Sequence, residues 1–132
     1  MKDPEFSVVI PTFNRAKFVV KAVESVLHQV LKAKEIIVVD DGSVDQTRAV
    51  LEPYRDKIHY IFQQNSGASA ARNTGIRAAN GAWLAFLDSD DEWTPEYLLK
   101  QVQWATQAPT EICMQSTNCR VHRAGRRYEK LL

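Results

Sequence analysis

Four short apolar runs, each ended by a polar turn and followed by a stretch that reads as a helix, constrain this chain more than any other feature. The runs are Phe6-Ser7-Val8-Val9-Ile10, Glu35-Ile36-Ile37-Val38-Val39, Ile58 to Gln63, and Trp83 to Leu87. Runs of this length, rich in β-branched and aromatic residues, predict buried strands. Pro11 is expected to end the first. Between the first two, apolar residues at 18, 19, 22, 23, 26, 27 and 30 predict a helix over Phe18 to Leu31. Asp45 is placed to cap a second helix over Gln46 to Tyr54. A small-residue helix is expected over Ala70 to Ala79, closing near Gly81. Thr94 and Pro95 fit the N-cap and first position of a fourth helix, running to about Gln107. Ile112 to Arg120 is expected as a fifth strand, and Arg123-Ala124-Gly125-Arg126 as a hairpin turn. The order βαβαβαβαβ predicts an α/β fold with a mostly parallel sheet and helices on both faces.

With 132 residues the chain suits one domain. A hydrophobic fraction of 45% and a charged fraction of 25% are those of a soluble globular protein. A net charge of +1 gives no case for a nucleic-acid partner. Charge is uneven, with an acidic stretch from Asp88 to Glu96 and a basic C-terminus carrying Arg120, Arg123, Arg126, Arg127 and Lys130. A solvated hairpin is favoured for that basic end over contact with anionic lipid or a sugar-phosphate. No stretch approaches the roughly 20 apolar residues of a membrane span, and Met1 to Glu5 lacks the apolar core of a signal peptide. Cys113 and Cys119 do not have metal-ligand spacing and are expected as reduced thiols of a cytoplasmic protein. His28, His59 and His122 are scattered and are expected to be structural, as are Trp83, Trp93 and Trp104 at the core or its edge.

In open α/β sheets, ligands bind beyond the carboxyl ends of the strands. Four polar loops follow strand ends here: Pro11-Thr12-Phe13-Asn14-Arg15, Asp40-Asp41-Gly42-Ser43, Asn65-Ser66-Gly67 and Asp88-Ser89-Asp90-Asp91. The last holds three carboxylates in four residues. Such crowding raises carboxylate pKa values, and a hard divalent cation shared with substrate phosphates relieves it. The competing reading is a solvated turn before a helix. Asp41 is placed to accept hydrogen bonds from a nucleobase or ribose, or from its own turn, and Asp40 is the more ordinary turn residue. Asp45 and Thr47 fit capping better than ligand contact. Arg72 and Asn73 stand out on a segment of small residues, and arginine suits phosphate. There is no Gly-Lys-Ser/Thr phosphate loop and no Gly-x-Gly-x-x-Gly after the first strand.

Taken together, Val8 to Arg15, Ile36 to Thr47, Asn65 to Gly75 and Phe86 to Asp91 resemble family 2 glycosyltransferases in order and spacing, over about residues 6 to 105. The resemblance implies a Rossmann-like GT-A fold and a nucleotide-sugar donor, most often UDP-linked. It places Pro11, Thr12, Asn14 and Arg15 at the nucleoside, Asp41 at the base, and Arg72 near the diphosphate or base. Asp88 would face the ribose, and Gly67, Asn73 and Ser89 complete the donor-binding set. Asp90 would ligate Mg²⁺ or Mn²⁺, with Asp91 as the second candidate ligand. The implied reaction is sugar transfer to an acceptor hydroxyl with inversion, in cell-wall or polysaccharide biosynthesis. The acceptor would be a carbohydrate, a lipid-linked molecule or a protein. The expected location is the cytoplasm, including the inner face of a membrane.

The chain departs from the family pattern after Glu96, where the remaining acidic residues are Glu111 and Glu129. Neither sits in a recognisable motif, so no general base is assigned. The expected organisation is one donor-binding part over residues 1–132, with its core at about 6–107 and the start of an acceptor-side region at 108–132. The alternative is a nucleotide-sugar-binding module without catalysis. A nucleotidyltransferase is disfavoured, because it would place a Gly-rich phosphate loop after the first strand.

Overall fold

The apolar runs become four strands: β1 (Phe6–Thr12), β2 (Glu35–Asp40), β3 (His59–Phe62) and β4 (Trp83–Phe86). The computed structural model describes residues 5–107, 114–115, 119–123 and 126–130. All four strands pair in parallel, in the order β3-β2-β1-β4. The helices are α1 (Val19–Leu27), α2 (Thr47–Leu51), α3 (Ala68–Ala78) and α4 (Tyr97–Gln107). Val8, Val9 and Ile10 are all fully buried. Consecutive strand residues point to opposite faces, so both faces of the sheet centre are covered. Helix α3 packs on β1 and β2, with Ala71 against Ile37 and Val39. Helix α1 also packs on β1 and buries Val19, Ala22, Val23 and Val26, the helical stripe expected from the spacing.

The chain runs from β1 out to β3 on one side, then returns to place β4 on the other side of β1. This reversal between β1 and β4 is a topological switch point, where open α/β sheets form a ligand crevice.

Several boundaries differ from the sequence expectation, each for a local reason. Pro11 does not end β1. It pairs with Val39, and Thr12 with Asp40. The β4 ladder stops at Val9, so β1 is locally an edge at Pro11, where proline is tolerated. Helix α1 ends at Leu27, short of Leu31. The Val30 N–H leaves the helical path and donates to the Pro95 carbonyl at 2.8 Å. Gln29, fully buried, donates to the Ser25 and Thr94 carbonyls at 3.0 and 2.7 Å and accepts from the Leu98 N–H at 2.9 Å. Helix α2 stops at Leu51, and a short 3-10 helix follows over Glu52–Tyr54, where Pro53 lacks the N–H an α-helix needs. Helix α4 begins at Tyr97, after a turn in which the Tyr97 N–H donates to the Thr94 carbonyl.

The chain divides into two compact units, Met1–Lys100 and Gln101–Leu132. In the second, β5 (Cys119–Arg123) and β6 (Arg126–Lys130) form an antiparallel hairpin with Arg123 opposite Arg126. Cys119 and Arg120, the end of the expected fifth strand, therefore lie in a hairpin arm and not in the parallel sheet. Much of the stretch assigned to that strand, residues 112–113 and 116–118, lies outside the described residues, as does Cys113. Of the tryptophans, Trp83 lies edge-on to Phe6, Trp93 stacks on Tyr97 at 4.3 Å, and Trp104 is about half exposed instead of packed in a core. Among the described residues, no helix is long and apolar enough to cross a membrane.

Candidate functional site

A cleft of ≈ 320 Å³ lies at the carboxyl ends of the strands. Pro11, Thr12, Phe13 and Arg15 form its first wall, from the end of β1 and the loop that follows. Asp41 contributes from the end of β2, and Asn65, Gly67 and Ala68 from the turn into α3. Ala71 and Arg72 face it from α3, and Asp88, Ser89 and Asp90 from the loop after β4. All four strand-end loops thus reach one cleft beside the switch point.

The first two loops are stitched together. The Asn14 N–H donates to Ser43 Oγ at 2.8 Å, and the Val44 N–H donates to Asn14 Oδ1 at 2.9 Å. The Arg15 N–H donates to Thr47 Oγ1 and the Ala16 N–H to Asp45 Oδ2. Asn14 sits at φ 50°, a left-handed conformation that asparagine tolerates. Asn14 does not line the cleft; its side chain shapes the loop that does. Asp45 likewise braces the first loop and accepts from the Thr47 N–H, while Gln46 holds the N-cap position of α2.

The two aspartates ending β2 separate in role. Asp40 is fully buried and accepts from the Tyr60 hydroxyl at 2.6 Å and the Ser43 N–H at 2.8 Å. Burial, and then the bond to the Asp40 carboxylate, push the Tyr60 hydroxyl well above its ordinary pKa. Asp41 points into the turn before α3. Its Oδ1 accepts from Gln63 Nε2 at 2.8 Å and the Ser66 N–H at 2.9 Å. Its Oδ2 accepts from the Gly67 N–H at 2.8 Å and Asn65 Nδ2 at 3.3 Å. Burial alone would raise the Asp41 carboxyl, but these hydrogen bonds outweigh it and hold the carboxyl below its usual value. Gly42 and Gly67 take φ of +85° and +99° in this region. A Cβ on Gly42 would also come within 2.8 Å of the Asn65 backbone nitrogen, so the turn after β2 and the turn into α3 close on each other only with glycine there.

Across the cleft, Arg72 Nη2 meets Asp88 Oδ1 at 2.7 Å. Asp91 keeps an exposed surface and does not line the cleft; partial loss of solvent around its carboxyl, and then the charges of Asp90 and Asp88, push that carboxyl up. The charges of Asp88 and Asp90 thus reach Asp91, a crowding of carboxylates that a cation would relieve. No group of three His, Cys, Asp or Glu side chains forms a ready metal cage among the described residues. Of the expected ligands Asp90 and Asp91, only Asp90 lines the cleft; Asp88, expected at the ribose, lines it too, and Asp88 and Asp90 are both hard oxygen donors of the kind a Mg²⁺-like ion takes.

Of the residues singled out from sequence, Asn14, Asn73 and Asp91 therefore do not line the cleft. Phe13 and Asn65 also line it; both belong to the strand-end loops read from the sequence but not to the donor-binding set, and Ala68 and Ala71 carry no chemical signal. Thr12 is a separate case. Its Oγ1 is buried without a hydrogen-bond partner among the described residues. Thr12→Val is expected to raise stability by about 1 kcal/mol by removing an unsatisfied hydroxyl, read as a higher thermal midpoint. A lower midpoint would mean the hydroxyl has a partner.

A family model described as "Glycosyl transferase family 2" matches residues 7–130. The putative teichuronic acid biosynthesis glycosyltransferase TuaG of Bacillus subtilis is 41% identical over 105 residues, which cover 76% of this chain and 42% of that protein. The uncharacterized glycosyltransferase alr2836 of Nostoc is 44% identical over 103 residues, covering 75% of this chain and 32% of its own length. Among solved structures, S. aureus TarS 1–349 in complex with UDP-GlcNAc superimposes with a TM-score of 0.69 at 34% identity, covering 78% of this chain and 31% of that one. The mannosyltransferase PcManGT of Pyrobaculum calidifontis, in complex with GDP-Man and Mn²⁺, matches with a TM-score of 0.69 at 24% identity, covering 79% of this chain and 33% of that one. At that identity it shows a shared fold. The chain spans about a third to two-fifths of the length of these curated relatives.

Proposed function

This chain belongs to glycosyl transferase family 2 and has the GT-A fold of its structural relatives, and from that premise we propose that its cleft binds the nucleotide part of a UDP-sugar for transfer to an acceptor hydroxyl. The observation that carries the reading is the convergence of four strand-end loops on one cleft lined by Arg15, Arg72, Asp41, Asp88 and Asp90. Phe13 offers an exposed aromatic ring to a base. Arg72 supplies a planar fork suited to phosphate oxygens. Asp88 and Asp90 would hold a divalent cation, which when bound offsets the negative charge that develops on the leaving diphosphate. The 11–15 loop that would receive the nucleoside is held by hydrogen bonds to residues 43–47. Single-displacement inversion, with a carboxylate deprotonating the acceptor, belongs to the same proposal, and no cleft residue is assigned as that base.

A second reading, a nucleotide-sugar-binding module, is favoured by the partners of the cleft carboxylates. Of the three carboxylates lining the cleft, Asp41 is held by the turn into α3, Asp88 is paired with Arg72, and Asp90 is the one proposed for the cation, so none is assigned as a base.

Calorimetry with UDP and GDP, each with and without Mn²⁺, tests the donor site. UDP is expected to bind, more tightly with Mn²⁺, and Asp90→Ala is expected to remove the gain from metal. Absence of UDP binding, or a metal effect unchanged in Asp90→Ala, would overturn the donor-site assignment. Release of free sugar or transfer from a UDP-sugar separates the enzyme from the binding module.

A further inference from the structure

We propose that Gln63 is a positioning residue for the nucleotide cleft: its amide fixes the Asp41 carboxylate, which in turn sets the Asn65–Gly67 turn that forms one wall. The inference rests on the nucleotide-binding reading of the cleft. Gln63 lies one residue past β3, ahead of the Asn65-Ser66-Gly67 segment read from the sequence, and does not line the cleft. Both ends of its side chain are engaged. Nε2 donates to Asp41 Oδ1 at 2.8 Å, and Oε1 accepts from the Thr74 hydroxyl on α3 at 2.6 Å. A carboxylate is an acceptor only, so the amide nitrogen must face Asp41 and the amide oxygen must face Thr74. The backbone is fixed too, because the Gln63 N–H donates to the Asp40 carbonyl at 2.9 Å.

The result is a directed chain of hydrogen bonds from Thr74 to Gln63 to Asp41, with the Ser66 and Gly67 N–H groups donating to the same carboxylate from the other side. Thr74 is two residues beyond Arg72 on the same helix. The chain thereby ties the turn that carries Asn65 and Gly67 to the helix that presents Arg72. Supporting groups of this kind decide whether lining residues sit within the tolerance that binding needs. The charged groups around the amide are few. Asp41 faces it from β2. On α3, Arg77 Nη2 donates to the Thr74 hydroxyl at 3.3 Å. The Asp40 carboxylate is turned toward Tyr60 and Ser43.

Gln63→Glu keeps the shape and replaces the donor with a second carboxylate against Asp41. Calorimetric titration of UDP with Mn²⁺ at pH 8 is expected to show affinity reduced by about tenfold or more relative to wild type. Lowering the pH to about 5 protonates the introduced carboxyl, whose pKa is raised by the facing charge. Its O–H then donates to Asp41, and affinity relative to wild type at the same pH recovers. Gln63→Met, which carries no titratable group, is expected to lose affinity equally at both pH values. Hydrogen-exchange protection of the Ser66 and Gly67 amides should follow the same pattern without ligand: reduced in Gln63→Glu at pH 8, regained at pH 5, and reduced at both in Gln63→Met. A purely structural role would lower thermal stability without this pH-dependent recovery. Wild-type affinity for UDP in Gln63→Glu at pH 8, or unchanged amide protection, would overturn the inference. A wild-type chain that fails to bind UDP while the amides still respond would overturn the nucleotide reading and leave the positioning role intact.

Discussion

Asp41→Ala is expected to lower folding stability by about 3 kcal/mol and to abolish measurable UDP binding. The carboxylate is the common acceptor for two backbone N–H groups and two side-chain amides. Alanine leaves all four donors without it, and hydrogen bonds to an ionised group are the stronger kind. Ser66 and Gly67 N–H lie just ahead of α3, so the turn into that helix loosens and the wall formed by Asn65, Gly67 and Ala68 goes with it. Chemical denaturation reads the first effect and calorimetry the second. A loss below 1 kcal/mol would mean water replaces the carboxylate without cost.

The same network gives stability a defined pH dependence. The Asp41 carboxyl lies below its ordinary value of 3.8 in the folded chain. On acidification the unfolded chain therefore takes up this proton before the folded chain does. The stabilisation is fully present above the unfolded value and is lost as pH falls through the folded one. Asp45 and Glu35 shift in the same direction, so the wild-type profile sums several groups. Comparison with Asp41→Asn isolates the one of interest. The stability gap between wild type and Asp41→Asn should narrow below about pH 4. A gap that stays constant down to the acid transition would show that Asp41 is not shifted.

The parts of the fold legible in the sequence were those set by local pattern. Ile36 to Val39 admits little but a buried strand, and the spacing of Val19, Ala22, Val23 and Val26 admits little but a helix. The misread boundaries depend on partners far along the chain. Nothing near Val30 announces that its N–H will go to Pro95. Nothing near Pro11 reveals that β4 stops pairing at Val9. The candidate site divides in the same way. Asp41 and Asp88 are candidates because loops after parallel strands converge at one edge, and Arg72 because an arginine stands out on a small-residue helix; all three line the cleft. Which residues touch the cleft and which brace it depends on side-chain direction at the ends of strands and helices. Asn14 and Gln63 show this most plainly. The first sits inside a motif yet holds a loop, and the second lies outside every motif yet holds the carboxylate at the cleft.

Gly75→Leu is expected to cost more than about 3 kcal/mol, and Gly75→Ala about 1 to 2 kcal/mol, although alanine by itself favours a helix over glycine by about 1 kcal/mol. Gly75 is where α3 meets β1. A Cβ built there falls 2.3 Å from Val9 Cγ1 and 3.0 Å from Cγ2. Val9 cannot retreat easily, because it is fully buried and lies between Ile37 of β2 and Phe86 of β4. The helix must therefore lift, and lifting moves Arg72, three residues earlier on the same helix, away from Asp88. Stability and nucleotide binding should consequently fall together, by urea titration and by calorimetry. The collision is tested by shortening its other partner. Val9→Ala alone opens a cavity and destabilises, but in Gly75→Ala with Val9→Ala the new methyl fills part of that space. The double variant should be more stable than the sum of the single effects by on the order of 1 kcal/mol. Strict additivity, or a Gly75→Ala chain as stable as wild type, would mean that α3 does not owe its seat on the sheet to the absent side chain at Gly75.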